Sequence, residues 1–212
     1  MDLDRRYRLA APSYDLLSGE AVYRAGRRLG VAGLDLTSGG VVLDVGCGTG
    51  LNFPLLQDVV GPSGRVVGLD ASAAMLRQAA RRCRREGWTN VDLVLADARS
   101  VDPGALVARA GRPADAALAS YALSLMPDWP AAWRTMVGAT TAEARLAVVD
   151  MARPQAGPAA RSLAALACWL GGADLEAHPW TVVEQECVDV RSASAWAGHL
   201  QVRSGRALRG RG

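Results

Sequence analysis

The succession of apolar and polar positions divides most of the chain into alternating strand and helix segments. Val41, Val42, Leu43 and Val45 form a short apolar run broken only by Asp44, the pattern of a strand covered on both faces. A helix is expected from about Leu51 to Val59, closed by the GPSG turn at 61–64, and RVVGLD at 65–70 gives a second strand. The run AAMLRQAARRCRRE predicts a helix over about 72–86 that Gly87 ends. NVDLVLADA at 90–98 is a third strand, and the stretch 114–129 is a fourth followed by a loop, with Asp115 at its entry and Ser120 at its exit. A helix over 129–138 and a strand over 145–151 complete the regular part. Beyond it, a helix is expected over 157–172, ended by Gly171 and Gly172, then strands in EQECVDV and HLQVRSG joined through Trp196. Residues 1–30 carry Tyr7, Tyr14, Tyr23, Arg24, Arg27 and Arg28 at helical spacing, with Pro12 splitting them into two helices. Strands and helices in this alternation predict a doubly wound α/β sheet, with its ligand crevice where the strand order reverses.

The chemistry concentrates at the turn after the first strand. Gly46, Gly48 and Gly50 fall at every second residue, which brings backbone N–H groups within reach of a ligand. The spacing is not that of the dinucleotide fingerprint, whose third glycine would fall at Leu51, and no Lys-Ser/Thr pair follows as in a phosphate-cradling loop. Asp44, two residues before the first glycine, suits a ligand that brings a cation to the turn. Asp70, at the tip of the neighbouring strand, can accept from both hydroxyls of a ribose, or can cap the next helix. Met75, one helical turn on, is placed either to touch an adenine or to fill the core.

With these residues on the page, DVGCGTG at 44–50 resembles motif I of the class I S-adenosylmethionine-dependent methyltransferases, whose turn holds the amino-acid end of the cofactor. The resemblance implies a Rossmann-like, seven-stranded, mostly parallel sheet with an antiparallel last strand. It also implies cofactor contacts from Asp44, Gly46, Cys47, Gly48, Gly50, Asn52, Asp70, Ala71, Met75 and Ser120. Asp97 would accept from the adenine amino group, and the Ala98 N–H would reach a ring nitrogen. The segments APSYDLLSG and VYRAGRRLG look like the N-terminal region of quinone C-methyltransferases and phospholipid N-methyltransferases. That likeness makes residues 1–30 a helical lid with Tyr14 near the methionyl end, 31–203 the catalytic domain and 204–212 a flexible basic tail.

The implied activity is methyl transfer by in-line displacement to a small-molecule or lipid head-group acceptor at N, O or C. Tyr121, Leu123, Met126 and Trp129 would line the acceptor pocket, and the absence of N-P-P-Y argues against adenine or glutamine methylation. A hydroxyl acceptor calls for a base, for which His178, His199 and Tyr121 are the candidates, with His199, inside an alternating strand pattern, more simply read as structural. Trp180 or Trp129 could offer a ring face to a cationic amine. Two other readings stand beside this one: a non-catalytic S-adenosylmethionine-binding partner subunit, and an NAD-dependent oxidoreductase, which the glycine spacing and the lack of Tyr-x-x-x-Lys disfavour.

Composition changes little of this. The 212 residues suit one domain, and the net charge of +3, carried on the cationic side by Arg alone, gives no case for nucleic acid. Arg27 and Arg28 could hold a phosphate, though surface helix charge is the simpler reading. Cys47, Cys83, Cys168 and Cys187 are far apart and only two histidines occur, so no metal site is expected. The beginning MDLDRRYR has no apolar core of the signal-peptide kind, and the longest apolar run, 163–170, is under half a bilayer span. The expectation is a cytoplasmic monomer or homodimer without a transmembrane segment, with peripheral membrane contact left open.

Overall fold

The computed structural model of the protein describes residues 20–155, 157 and 174–208. Its strands are β1 (Val41–Val45), β2 (Arg65–Asp70), β3 (Val91–Leu95), β4 (Ala114–Ser120), β5 (Thr140–Met151), β6 (Cys187–Ala195) and β7 (Leu200–Ala207). Its helices are α1 (Glu20–Ala32), α2 (Phe53–Val60), α3 (Ala73–Glu86), α4 (Pro103–Ala110), α5 (Trp129–Gly138) and α6 (Thr181–Glu186). The strands form one seven-stranded sheet in the order β3-β2-β1-β4-β5-β7-β6. Pairings from β3 across to β5 are parallel, and β7 inserts antiparallel between β5 and β6. The sheet is thus mostly parallel with an antiparallel last strand, as expected, and the strand order reverses between β1 and β4.

Alternate residues of the central strands supply two separate cores. Leu43, Val45, Leu69, Ala117 and Leu146 face α4, α5 and α6 through Leu106, Trp133, Met136 and Val183. Val42, Val66, Ala116, Leu118 and Val149 face the other way, against Val31 at the end of α1 and Leu34 just beyond it, Phe53 and Leu56 of α2, and Leu76 and Ala79 of α3. This period-two division, with both faces covered, is why β1 and β4 read as continuous apolar runs.

Several boundaries differ from the sequence expectation for physical reasons. β3 stops at Leu95, so Asp97 lies in the following turn and does not close the strand. A helix not anticipated, α4, begins after Asp102, whose carboxylate accepts from the Gly104 N–H at 3.1 Å, with Pro103 in its first turn. The residues expected to open the sixth strand form α6 instead: Val182 and Val183 are buried on one side while Glu184, Gln185 and Glu186 are exposed, so a helical turn satisfies both. β6 therefore begins at Cys187 and runs on to Ala195. The tail expected from 204 is strand through Ala207, because Ser204 and Gly205 are buried against neighbours and pair with β5 and β6. Of the segment 1–30, the part from Glu20 belongs to α1; the Pro12 split, Tyr14 and the helix over 157–172 lie outside the described residues. Among the described residues no helix is long and apolar enough to cross a membrane.

Candidate functional site

A cavity of about 400 Å³ opens at the carboxyl ends of β1, β2 and β4, a size typical of small-molecule sites. Its floor is the glycine turn. The Gly46 and Cys47 N–H groups donate to the Leu69 carbonyl at 2.8 and 3.0 Å, tying the turn to the end of β2. From the other side the Arg82 guanidinium of α3 donates to the Thr49 carbonyl at 3.0 Å. Gly46 has φ +67°, and a Cβ there would meet the Ala122 Cβ at 2.4 Å, so that position serves packing. Gly48 has φ +56°, yet nothing lies within 4 Å of where its Cβ would be, and it lines the cavity. That bare backbone is the place where a ligand can lie against the main chain. Gly50 lies outside the cavity wall, against the Phe53 ring.

Beneath the turn lies a buried polar cluster. Asn52 Nδ2 donates to Asp44 Oδ1 and to Ser120 Oγ, both at 2.8 Å. Asp44 is fully buried and lies behind the cavity wall, whereas Asn52, Ser120 and Cys47 line it. Asp44 Oδ2 and Asn52 Oδ1 have no hydrogen-bond partner among the described residues. Burial pushes the Asp44 carboxyl up to about 7, against the pull of the Asn52 bond and the Arg27 charge, with the nearby Asp70 adding to the rise. Of Asp44 and Asn52, only Asn52 lines the cavity, so its amide is the group placed to meet a ligand, with Asp44 holding it from behind.

The next acid, Asp70, spans two structural jobs. Oδ2 accepts from the Gly48 N–H and Oδ1 from the Ser72 N–H, each at 2.8 Å. The α3 cap itself falls to Ser72, whose Oγ accepts from the Met75 N–H at 3.4 Å. Burial raises the Asp70 pKa, outweighing those two bonds. Ala71, Met75 and Ala98 lie in the same wall. Asp97 is there too, gripped by the Arg99 guanidinium through contacts of 2.6 to 3.1 Å and by the Arg99 N–H at 2.9 Å, which holds its carboxyl below the usual range.

The opposite wall is Tyr121, Ala122, Leu125, Met126 and Pro127, together with Arg27. Leu123 is buried in the core and Trp129 packs against it, so neither faces the cavity, contrary to the pocket expected from the resemblance. This segment is pinned by Asp150 at the end of β5. Asp150 accepts from Ser124 Oγ at 2.7 Å, the Ser124 N–H at 3.1 Å and the Met151 N–H at 2.9 Å, and burial pushes its carboxyl up to about 6. Tyr121, at φ +54°, donates its phenol to the Tyr23 carbonyl of α1 at 2.9 Å. His178 does not line the cavity; its ring lies 4.9 Å from Trp180 and its carbonyl accepts from Thr181.

Sequence reasoning gathered most of the turn and both wall acids, and it missed three contributors. Arg27, read as surface charge, is buried in the cavity wall. Arg99 stands two residues from Asp97, a spacing that could have suggested the pair. Asp150 left a signal in the lone acid ending the apolar run LAVVD.

Residues 42–143 match the family described as Methyltransferase domain. The chain is 32% identical over 148 residues to a 2-phytyl-1,4-naphtoquinone methyltransferase of Thermosynechococcus vestitus, covering 68% of this chain and 62% of that relative. It is 32% identical over 119 residues to the aklanonic acid methyltransferase DauC of Streptomyces sp. strain C5, covering 56% and 51% respectively. The chain spans about three fifths of the length of the first of these curated relatives. Among solved structures, the DhpI–SAH complex shares the fold at a TM-score of 0.64 and 20% identity, covering 97% of this chain and 96% of that one. The family match, the relatives and the fold around the glycine turn agree: residues 42–143 form a methyltransferase domain, and the fold is that of the class I methyltransferases, whose cofactor is S-adenosylmethionine.

Proposed function

We propose that the protein methylates a small-molecule acceptor held against the apolar wall of Tyr121, Leu125, Met126 and Pro127. The observation that carries this reading is the floor of the cavity, where Gly48 has open space on its Cβ side and Asn52 and Ser120 line the same wall. When bound, the cofactor supplies an electrophilic methyl group. The residues of this chain bind and orient it. Asp70 keeps lone pairs for the ribose hydroxyls after accepting from Gly48 and Ser72. Asp97 accepts from the adenine amino group while Arg99 fixes its direction, and the Ala98 N–H and Met75 complete the adenine end. Tyr14 is assigned over the methionyl end on the family resemblance alone.

Positioning in a dry site supplies about 7 to 11 kcal/mol for such a transfer, so no metal or strong acid is required. No histidine stands in the described cavity wall, which favours an amine or a stabilised anion as nucleophile. His178 is assigned as base only for a hydroxyl acceptor reaching beyond the cavity, and Tyr121 as the acceptor-side phenol. The names of the relatives, a naphthoquinone and an aklanonic acid methyltransferase, support an aromatic acceptor. Calorimetry tests the cofactor half: S-adenosylhomocysteine is expected to bind, Asp70→Ala to weaken it tenfold or more, and NADH not to bind. Failure of the wild-type protein to bind S-adenosylhomocysteine would overturn the proposal.

A further inference from the structure

A second cavity, of about 380 Å³, lies at the other end of the sheet from the glycine turn. It opens beside Asp115 at the start of β4, Glu143 and Arg145 in the first half of β5, and Arg206 near the end of β7, with Asp189 and Arg191 of β6 next to them. Strand register gathers three guanidiniums on one face. Arg145 and Arg206 stand directly opposite each other in the β5–β7 pair, and Arg191 stands opposite Ser204, two residues from Arg206. Like charges facing each other across a ladder repel. Burial, and after it the charge of Arg191, lowers the Arg145 pKa against the pull of Asp35 and Asp189, with Arg206 adding to the fall.

Depth sorts the charges in this cavity. Arg145 is 7% exposed, and both of its hydrogen bonds go to neutral groups. Its Nε donates to the Gly33 carbonyl at 3.1 Å, and its Nη2 to the Asp189 carbonyl at 2.8 Å, which the register shift between Val188 and Arg191 leaves out of the ladder. Among the described residues the one carboxylate within 4.0 Å of it is Asp35, at 3.6 Å, and Asp35 is bonded to Arg191 at 2.6 Å. Arg145 Nη1 makes no hydrogen bond among the described residues. Arg191 and Arg206 each spend one nitrogen on Asp35 and Asp189, which leaves most of their five N–H donors open. The acids lie outward: Asp35, Asp189 and Glu143 are exposed, and Asp115 is held by Arg112 and the Val41 N–H. The bottom is therefore positive, with a buried cation that lacks a hydrogen-bonded counterion, a costly state unless an anion joins it. Donors arriving from three strands suit a tetrahedral anion better than a flat carboxylate, which one guanidinium can satisfy alone. We propose that this cavity binds a phosphate group, free or carried on a small metabolite, with Arg145 beneath it and Arg191 and Arg206 at its sides.

Melting of the full chain tests this, as inorganic phosphate replaces sodium chloride at fixed ionic strength. A ligand of the native state raises the melting temperature by mass action. The wild-type protein is expected to show a rise that saturates with phosphate. Arg206→Gln should need about tenfold more phosphate for the same rise, the loss of a charge-assisted hydrogen bond, and Arg145→Gln should show no rise beyond chloride. Arg206 is exposed, so its variant keeps the test decisive if Arg145→Gln fails to fold. Glycerol 3-phosphate in place of inorganic phosphate separates the two sources: a lower midpoint concentration assigns a phosphorylated metabolite, a higher one the free ion. Absence of any rise in the wild-type protein overturns the proposal, and so does a response left unchanged in Arg206→Gln, which would place the phosphate elsewhere. Either failure leaves the methyltransferase reading intact, because the two sites lie at opposite ends of the sheet and share no lining residue.

Discussion

Asp44 is the residue whose burial has the clearest measurable cost. Its carboxyl is raised from 3.8 to about 7, so the fold favours the protonated form. The sign follows from linkage: an acid with a raised folded pKa costs nothing below its free value, and the cost grows as pH climbs from about 4 to about 7. The full effect is on the order of 4 kcal/mol. Thermal melts of the ligand-free protein should therefore show stability falling across that window, with Asp44→Asn flattening part of the slope; an unchanged slope would show that Asp44 is not the group responsible. The glycines separate in the same way. Gly48→Ala should weaken S-adenosylhomocysteine binding with little loss of stability beyond about 1 kcal/mol of backbone strain, because its methyl enters the cavity. Gly46→Ala should instead lower the melting temperature, since its Cβ collides with Ala122. Paired melting and calorimetry distinguish the two. The turn was legible because Asp44, its glycines and Asp70 are chemically unusual among apolar neighbours. Arg27 was not, because an arginine on a helix looks alike in sequence whether it faces water or a cavity.

At the level of elements, the wall after β4 is held by one acid on β5. Asp150→Ala would strand the Ser124 N–H, the Ser124 hydroxyl and the Met151 N–H in a buried place. A loss of roughly 2 to 5 kcal/mol in urea denaturation is expected from unsatisfied buried donors. Local pattern revealed β1, β2, β4, α3 and α5 nearly to the residue, since each has either a two-sided apolar run or clear caps. It misread 184–186, expected to open the sixth strand, where the buried pair Val182 and Val183 followed by exposed polar residues suits a helical turn. It passed over α4, although Asp102, Pro103 and Gly111 supply both of its ends. The pairing of the Asp150 carboxylate with a serine twenty-six positions earlier belongs to tertiary structure and leaves no periodic trace.

Across the whole molecule, the alternation of strands with helices was enough for a doubly wound sheet and the family resemblance for its seven strands, but neither carries the register. The shift between Ala114 and Ala116, which lets β5 begin at Thr140, is a consequence of pairing that no single strand encodes. The position of β7 between β5 and β6 has a further effect during synthesis. Until Leu200–Ala207 have been made, one whole side of β5 presents unpaired N–H and C=O groups next to a finished parallel core. A nascent chain in that state can stick to others by its open edge. A truncation ending before Leu200 is accordingly expected to be insoluble, which fractionation after expression would reveal, and soluble, cooperatively melting material would refute it. The hairpin that completes the sheet thus also sets the moment at which a growing chain becomes safe from its neighbours on the ribosome.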